Sequence, residues 1–225
     1  MSGRAVGEAP ILAVLATALL LAGPAAAQVP RPGIAVHVGS TGLGADFALG
    51  VHKYLGFRAG GSFFPFDFNI TESDVDYSLS VPSPQFLLAV DVYAAGTFRF
   101  TGGLLIQQGN FDLEATPTEP VEIGGVEYSP AQIGSLTGTL DTRAVSPYLG
   151  LGFGSPNKRG PGLFLDLGVA FHGEPAVSVT ANGPIASIPQ FQQDLDEEVA
   201  EIQDAVGGFQ VYPVARLGLM IGFGR

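Results

Sequence analysis

In eight stretches of the chain, apolar side chains fall on every second residue, and the residues between them are small or charged. A period of two marks a β-strand, because successive side chains point to opposite faces. In residues 215–225, ARLGLMIGFGR, one face carries Leu217, Leu219, Ile221 and Phe223, and the other carries Arg216, Gly218, Met220 and Gly222. The same division runs through 34–39, 43–51, 55–63, 86–93, 98–107, 147–154 and 163–172. A soluble sheet turns polar residues outward. Here a broad apolar face is opposed by glycine, alanine and a few charges.

Those charges set the register. Asp46, Asp91 and Asp166, with Arg58, Arg99 and Arg216, all fall on the small-residue face. An arginine facing lipid near the bilayer midplane costs roughly 2–4 kcal/mol. Turning all six outward costs on the order of ten kcal/mol, comparable with the net stability of a whole domain. The apolar face therefore meets lipid and the six charges point inward. Acids and bases are equal in number, which predicts an ion-pair network in the lumen.

The connections alternate in length. Residues 52–54, 94–97 and 155–161 make tight turns, whereas 71–76, 113–138 and 181–208 are longer, more polar and more acidic. Splitting the first stretch at Ser40-Thr41-Gly42 raises the strand count to eight and brings both chain ends to one side, with a short first strand. Spanning strands need about 9–11 residues. They must close, since an open edge in hydrocarbon leaves each unpaired backbone group costing several kcal/mol. The expected fold is all-β: an eight-stranded antiparallel transmembrane β-barrel with one amphipathic helix in a long extracellular loop.

Residues 1–27 carry Arg4, the apolar run Ile11–Ala22 and Ala25-Ala26-Ala27, the pattern of a secretory signal peptide. The barrel is expected over 28–225. Charged residues make up only 14% of the chain, well short of the quarter usual in soluble domains. Without cysteine there is no disulfide framework. A net charge of −11 with ten Lys and Arg excludes nucleic acid as a partner, since phosphate binding needs clustered cations.

On this pattern the chain resembles the small outer-membrane β-barrel proteins of Gram-negative bacteria, the eight-stranded OmpA/OmpX-type and OmpW-like group. Members of that group end in an insertion signal of polar, glycine, hydrophobic and aromatic positions. Arg216, Gly218, Ile221 and Phe223 occupy those places, with Gly224 and Arg225 following the aromatic residue. The resemblance implies location in the outer membrane and recognition by the outer-membrane assembly machinery. Its expected partners are outer-membrane lipid and lipopolysaccharide.

Eight strands enclose an interior just wide enough for side chains to fill. Inward glycines leave room for Arg58, Arg99, Arg216, Tyr148 and Phe164 to cross it, which predicts a compact ion-paired plug or, alternatively, a narrow path for small solutes. A lipid-modifying enzyme is a third reading, and His37, His52 and His172 are its candidate bases. No serine accompanies them in a lipase motif, so no catalytic residue and no cofactor are assigned. Gly150–Gly154 (GLGFG) resembles half a phosphate loop but lies on an alternating strand with no helix behind it.

In Pro189–Val206 the spacing of Phe191, Leu195, Val199, Ile202 and Val206 predicts an amphipathic helix. Its other face is acidic, whereas a helix lying on a membrane surface carries Lys and Arg. It is expected to pack on the barrel mouth or a neighbouring loop, with a partner-binding role as the alternative. Glu72, Asp74, Asp76, Glu114, Glu119, Glu122 and Glu127 make the other long loops acidic too. They form either a solvated rim or a divalent-cation site, without EF-hand spacing. The favoured function is a structural or surface-interaction protein of the envelope.

Overall fold

The computed structural model describes residues 30–65, 68–72 and 75–223. The leader expected over 1–27 lies outside them, as do Asp74, Gly224 and Arg225. The chain enters with β1 (Arg31–Gly39), β2 (Gly42–His52) and β3 (Leu55–Phe63), which leads past the barrel rim into β4 (Phe68–Glu72). β5 (Val75–Ser80) returns into β6 (Gln85–Ala95), and β7 (Phe98–Gln107) climbs again into β8 (Phe111–Pro117). A small hairpin, β9 (Val121–Ile123) and β10 (Val126–Tyr128), and one helical turn, α1 (Pro130–Ile133), precede β11 (Leu136–Asp141). Then come β12 (Val145–Phe153), β13 (Gly160–Phe171), β14 (Ala176–Ala181), helix α2 (Pro189–Val206) and β15 (Val211–Gly222).

Eight of these strands close into one antiparallel barrel in the order β1-β15-β13-β12-β7-β6-β3-β2. Each corresponds to one of the alternating stretches. The split at Ser40 is real: Gly39 pairs with Gly42 across a two-residue hairpin. β1 is longer than expected, because the ladder continues back through Pro32 and Arg31. Ser40 ties this hairpin to β15, its hydroxyl donating to Pro213 O at 3.0 Å and accepting from Ala215 N at 2.9 Å.

Closure leaves the apolar residues outside. Leu149, Leu163, Leu217 and Leu219 are each more than half exposed, whereas Ala35, Phe164 and Ala170 on the alternate face are fully buried. Among the described residues no helix is long and apolar enough to cross a membrane. The exposed apolar surface belongs to the barrel strands.

The long connections hold more structure than polar loops. Five of the barrel strands continue beyond the rim as a second antiparallel sheet, ordered β14-β11-β8-β5-β4. Its sidedness is the reverse of the barrel's. Phe111 meets the inward-facing Tyr212 ring at 6.0 Å, so its side of the sheet faces inward. Register places Leu113, Leu136, Leu140, Val177 and Val179 on that same side. The outer side carries Asp112, Glu114, Thr137, Thr139, Ser178 and Thr180. The outer surface is therefore polar above the rim and apolar below it.

Helix α2 covers part of the inner side. Phe191 and Leu195 pack with Ile123 and Ile133 into a core bordered by Leu136, Val179 and Ala181. The predicted stripe is correct over Pro189–Val206. Its N-terminal half is buried, and Val199, Ile202 and Val206 are half-buried. The helix therefore rests on its neighbouring loop elements.

Candidate functional site

The lumen gathers all six predicted charges into one cluster. Register alone places Asp166 beside Arg216 on adjacent strands, while barrel closure brings in residues from β2, β3, β6 and β7. The Arg58 guanidinium donates to Asp166 at 2.9 Å, Asp46 at 3.0 Å and Asp91 at 3.1 Å. Arg99 donates to Asp166 at 3.0 Å and to the Gly154 carbonyl at 3.0 Å. Arg216 reaches Asp46 at 3.2 Å and also bonds Asp166. Asp166 is thus the shared acceptor of all three arginines.

Three further residues complete the cluster. His37 Nε2 lies 3.2 Å from Asp46, and the Thr101 hydroxyl donates to Asp91 at 2.7 Å. The Phe164 ring sits among the cations, with the Arg99, Arg58 and Arg216 guanidinium carbons 5.0, 5.4 and 5.7 Å from its centre. His37 stacks on the same ring at 5.5 Å. A positive charge over an aromatic face is favourable, more so when desolvated. Period-two alternation places His37, Thr101 and Phe164 on the inward face, but their partnership with the charges depends on closure.

Glycine makes the space. A Cβ added at Gly60 would stand 1.8 Å from an Asp46 carboxylate oxygen, and at Gly150 or Gly168 it would meet the Tyr148 hydroxyl at 2.5 or 2.6 Å. The charged layer is sandwiched between apolar ones. Ala35, Ala48, Phe164 and Met220 lie towards the tight turns, and Leu87, Leu105, Tyr148, Ala170 and Val214 towards the long loops. Every member of the ion-pair cluster, with His37 and Thr101, is at most 5% exposed, so water reaches almost none of it. Below it, Ser155 and Pro156 of the β12–β13 turn are buried.

The other predicted positions fall as follows. Gly218 faces inward, with no room for a Cβ against Val36 O at 1.9 Å, while Ile221 and Phe223 stand on the exposed belt. His52 sits at the turn rim, accepting Tyr54 N–H at 3.3 Å, and His172 is buried at the loop rim. Residues 150–153 close β12 and Gly154 follows it, with β13 rather than a helix as the next element. Glu122, Glu197, Glu198 and Glu201 line a cleft of about 440 Å³ between the β9–β10 hairpin and α2. Among the described residues no group of three or more His, Asp or Glu side chains converges to hold a metal ion. Asp194 on α2 instead accepts from Tyr128 and from Gln190, and the Tyr128 bond raises that phenol above its ordinary pKa.

Fold and lumen together define a closed, eight-stranded antiparallel barrel with an apolar exterior and an ion-paired interior. No protein-family model and no curated sequence matches the chain. Among solved structures it is similar to Acinetobacter baumannii CarO2, with 21% identity over 86% of this chain and 99% of that one and a TM-score of 0.62. CarO of the same organism is similar too, at 18% identity over 85% and 97%, with a TM-score of 0.61. At those identities the likeness is one of fold.

Proposed function

We propose that this protein is an outer-membrane barrel of structural or surface-interaction role, sealed across its lumen and carrying a β/α unit above the membrane. The observation that carries this is the continuous layer formed by Asp46, Arg58, Asp91, Arg99, Asp166 and Arg216 around Phe164, buried on all sides. A barrel meant to conduct would leave a wet path past its charges. Here they are spent on one another. Arg216, Gly218, Ile221 and Phe223 serve as the signal for the assembly machinery, and lipid and lipopolysaccharide surround the belt.

The test is single-channel conductance of the purified barrel in planar bilayers, after a heat-shifted band on SDS gels of the outer-membrane fraction establishes closure. The wild-type protein should be silent, and Arg99→Ala should open a measurable current by removing the cation that bridges Asp166 and Gly154. Steady wild-type conductance would establish the second reading, a narrow solute channel. That reading draws on the Tyr148 hydroxyl and Arg216 Nε, which are buried without a hydrogen-bond partner and loosen the seal locally. An enzymatic role has less to stand on, because His37 Nε2 is engaged by Asp46 and Arg216.

A further inference from the structure

Charge is divided between the two ends of the barrel. Outside the lumen, every described Asp and Glu lies on the long-loop rim or in the unit above it. Arg31, Lys53, Lys158 and Arg159 stand exposed at the tight-turn rim, where no described residue carries a carboxylate.

The segments that carry these four cations are in contact through Asn157. Arg31 donates to the Asn157 carbonyl at 3.1 Å, and the Asn157 amide donates to the His52 carbonyl at 3.3 Å, one residue before Lys53. Lys158 and Arg159 follow Asn157 directly. The turn that bears them is seated against the barrel end: Pro156 packs on Gly33, and an added Cβ at Gly222 would lie 2.0 Å from the Lys158 carbonyl. Like charges held together without a counter-charge repel one another, so the arrangement fits an anion supplied from outside the chain.

The patch also runs into the apolar belt. The Lys53 ammonium lies 4.6 Å over the Tyr54 ring, which is 52% exposed, and outward Phe57 and Leu163 follow within a few residues of the two turns. Long basic side chains at such an edge lay their stems on apolar surface and their charges at headgroup level. We infer that the turn rim is a docking collar for the phosphodiester headgroups of anionic phospholipids in the leaflet it faces. This inference rests on the membrane-barrel reading above. Each basic residue near an anionic surface favours binding by about fivefold, and the preference fades as salt shortens the screening length.

The test is electron paramagnetic resonance of the full barrel in phosphatidylcholine vesicles carrying spin-labelled phosphatidylglycerol or spin-labelled phosphatidylcholine. The ratio of motionally restricted anionic to zwitterionic label reports selectivity at the protein boundary. K53Q/K158Q/R159Q should lower that ratio about threefold or more relative to wild type, and K53R/K158R/R159K should keep it. The acidic rim is the same in all three proteins, so the difference isolates the turns. An unchanged ratio in the neutralised variant overturns the collar alone. Absence of any restricted lipid, with either label, overturns the membrane-barrel reading beneath it.

Discussion

Asp166 joins the lumen charges from the acidic side as Arg58 does from the basic side. It is fully buried and, among the described residues, is the one carboxylate that touches all three arginines. Removing one partner of a buried ion pair typically costs 3–5 kcal/mol, because a charge is left without compensation. Asp166→Asn should therefore lower the unfolding free energy in vesicles by about that much. Adding Arg216→Gln to Asp166→Asn restores charge balance and should recover part of the loss. A double variant as damaged as the sum of its singles would mean the two residues act independently. Gly60 makes the same point sterically. Its missing Cβ leaves the place that the Asp46 carboxylate fills, so Gly60→Ala must displace Asp46 from Arg58. It should lower the SDS melting temperature, whereas Gly102→Ala, with only Leu149 near at 3.8 Å, should leave it in place.

At the scale of elements, the barrel strands were legible because an apolar exterior and a charged interior impose a strict two-residue period, as in 163–172. Helix α2 was legible from the spacing of Phe191, Leu195, Val199, Ile202 and Val206. The second sheet was not. β9 and β10 are three residues each, and β11 and β14 alternate with the opposite sense, Leu136 and Val179 inward and Thr137 and Thr180 outward. A pattern tuned to apolar-out strands passes over them. The partners of Arg58 were likewise invisible, since Asp166 lies 108 residues away and meets it only when the barrel closes. The external unit should be separable from the barrel in energy. Phe191 is 1% exposed and meets Tyr128 edge-on at 5.0 Å, and truncating a buried phenylalanine costs about 3–5 kcal/mol. Phe191→Ala should speed hydrogen exchange in α2 and the β9–β10 hairpin while the barrel strands and the heat shift on gels stay unchanged.

For the whole molecule, the decisive property is that outward-facing residues change character along single continuous walls. On β12 the outward Leu149 is 58% exposed, and on β11, further up the same wall, the outward Thr137 is exposed. Sheet geometry treats the two positions alike. Their surroundings differ only if lipid covers the lower one. An arginine facing lipid near the midplane costs roughly 2–4 kcal/mol, and a surface substitution in water stays within about 0.5 kcal/mol. Leu149→Arg should accordingly destabilise the barrel in vesicles, read from reversible denaturant unfolding, while Thr137→Arg leaves it near wild type. Equal and small effects at both positions would mean that the apolar face is not held in hydrocarbon, and the membrane placement would fail with it. A large effect at Leu149 alone puts the lipid boundary between those two residues, where the outer face of the wall turns from leucine to threonine.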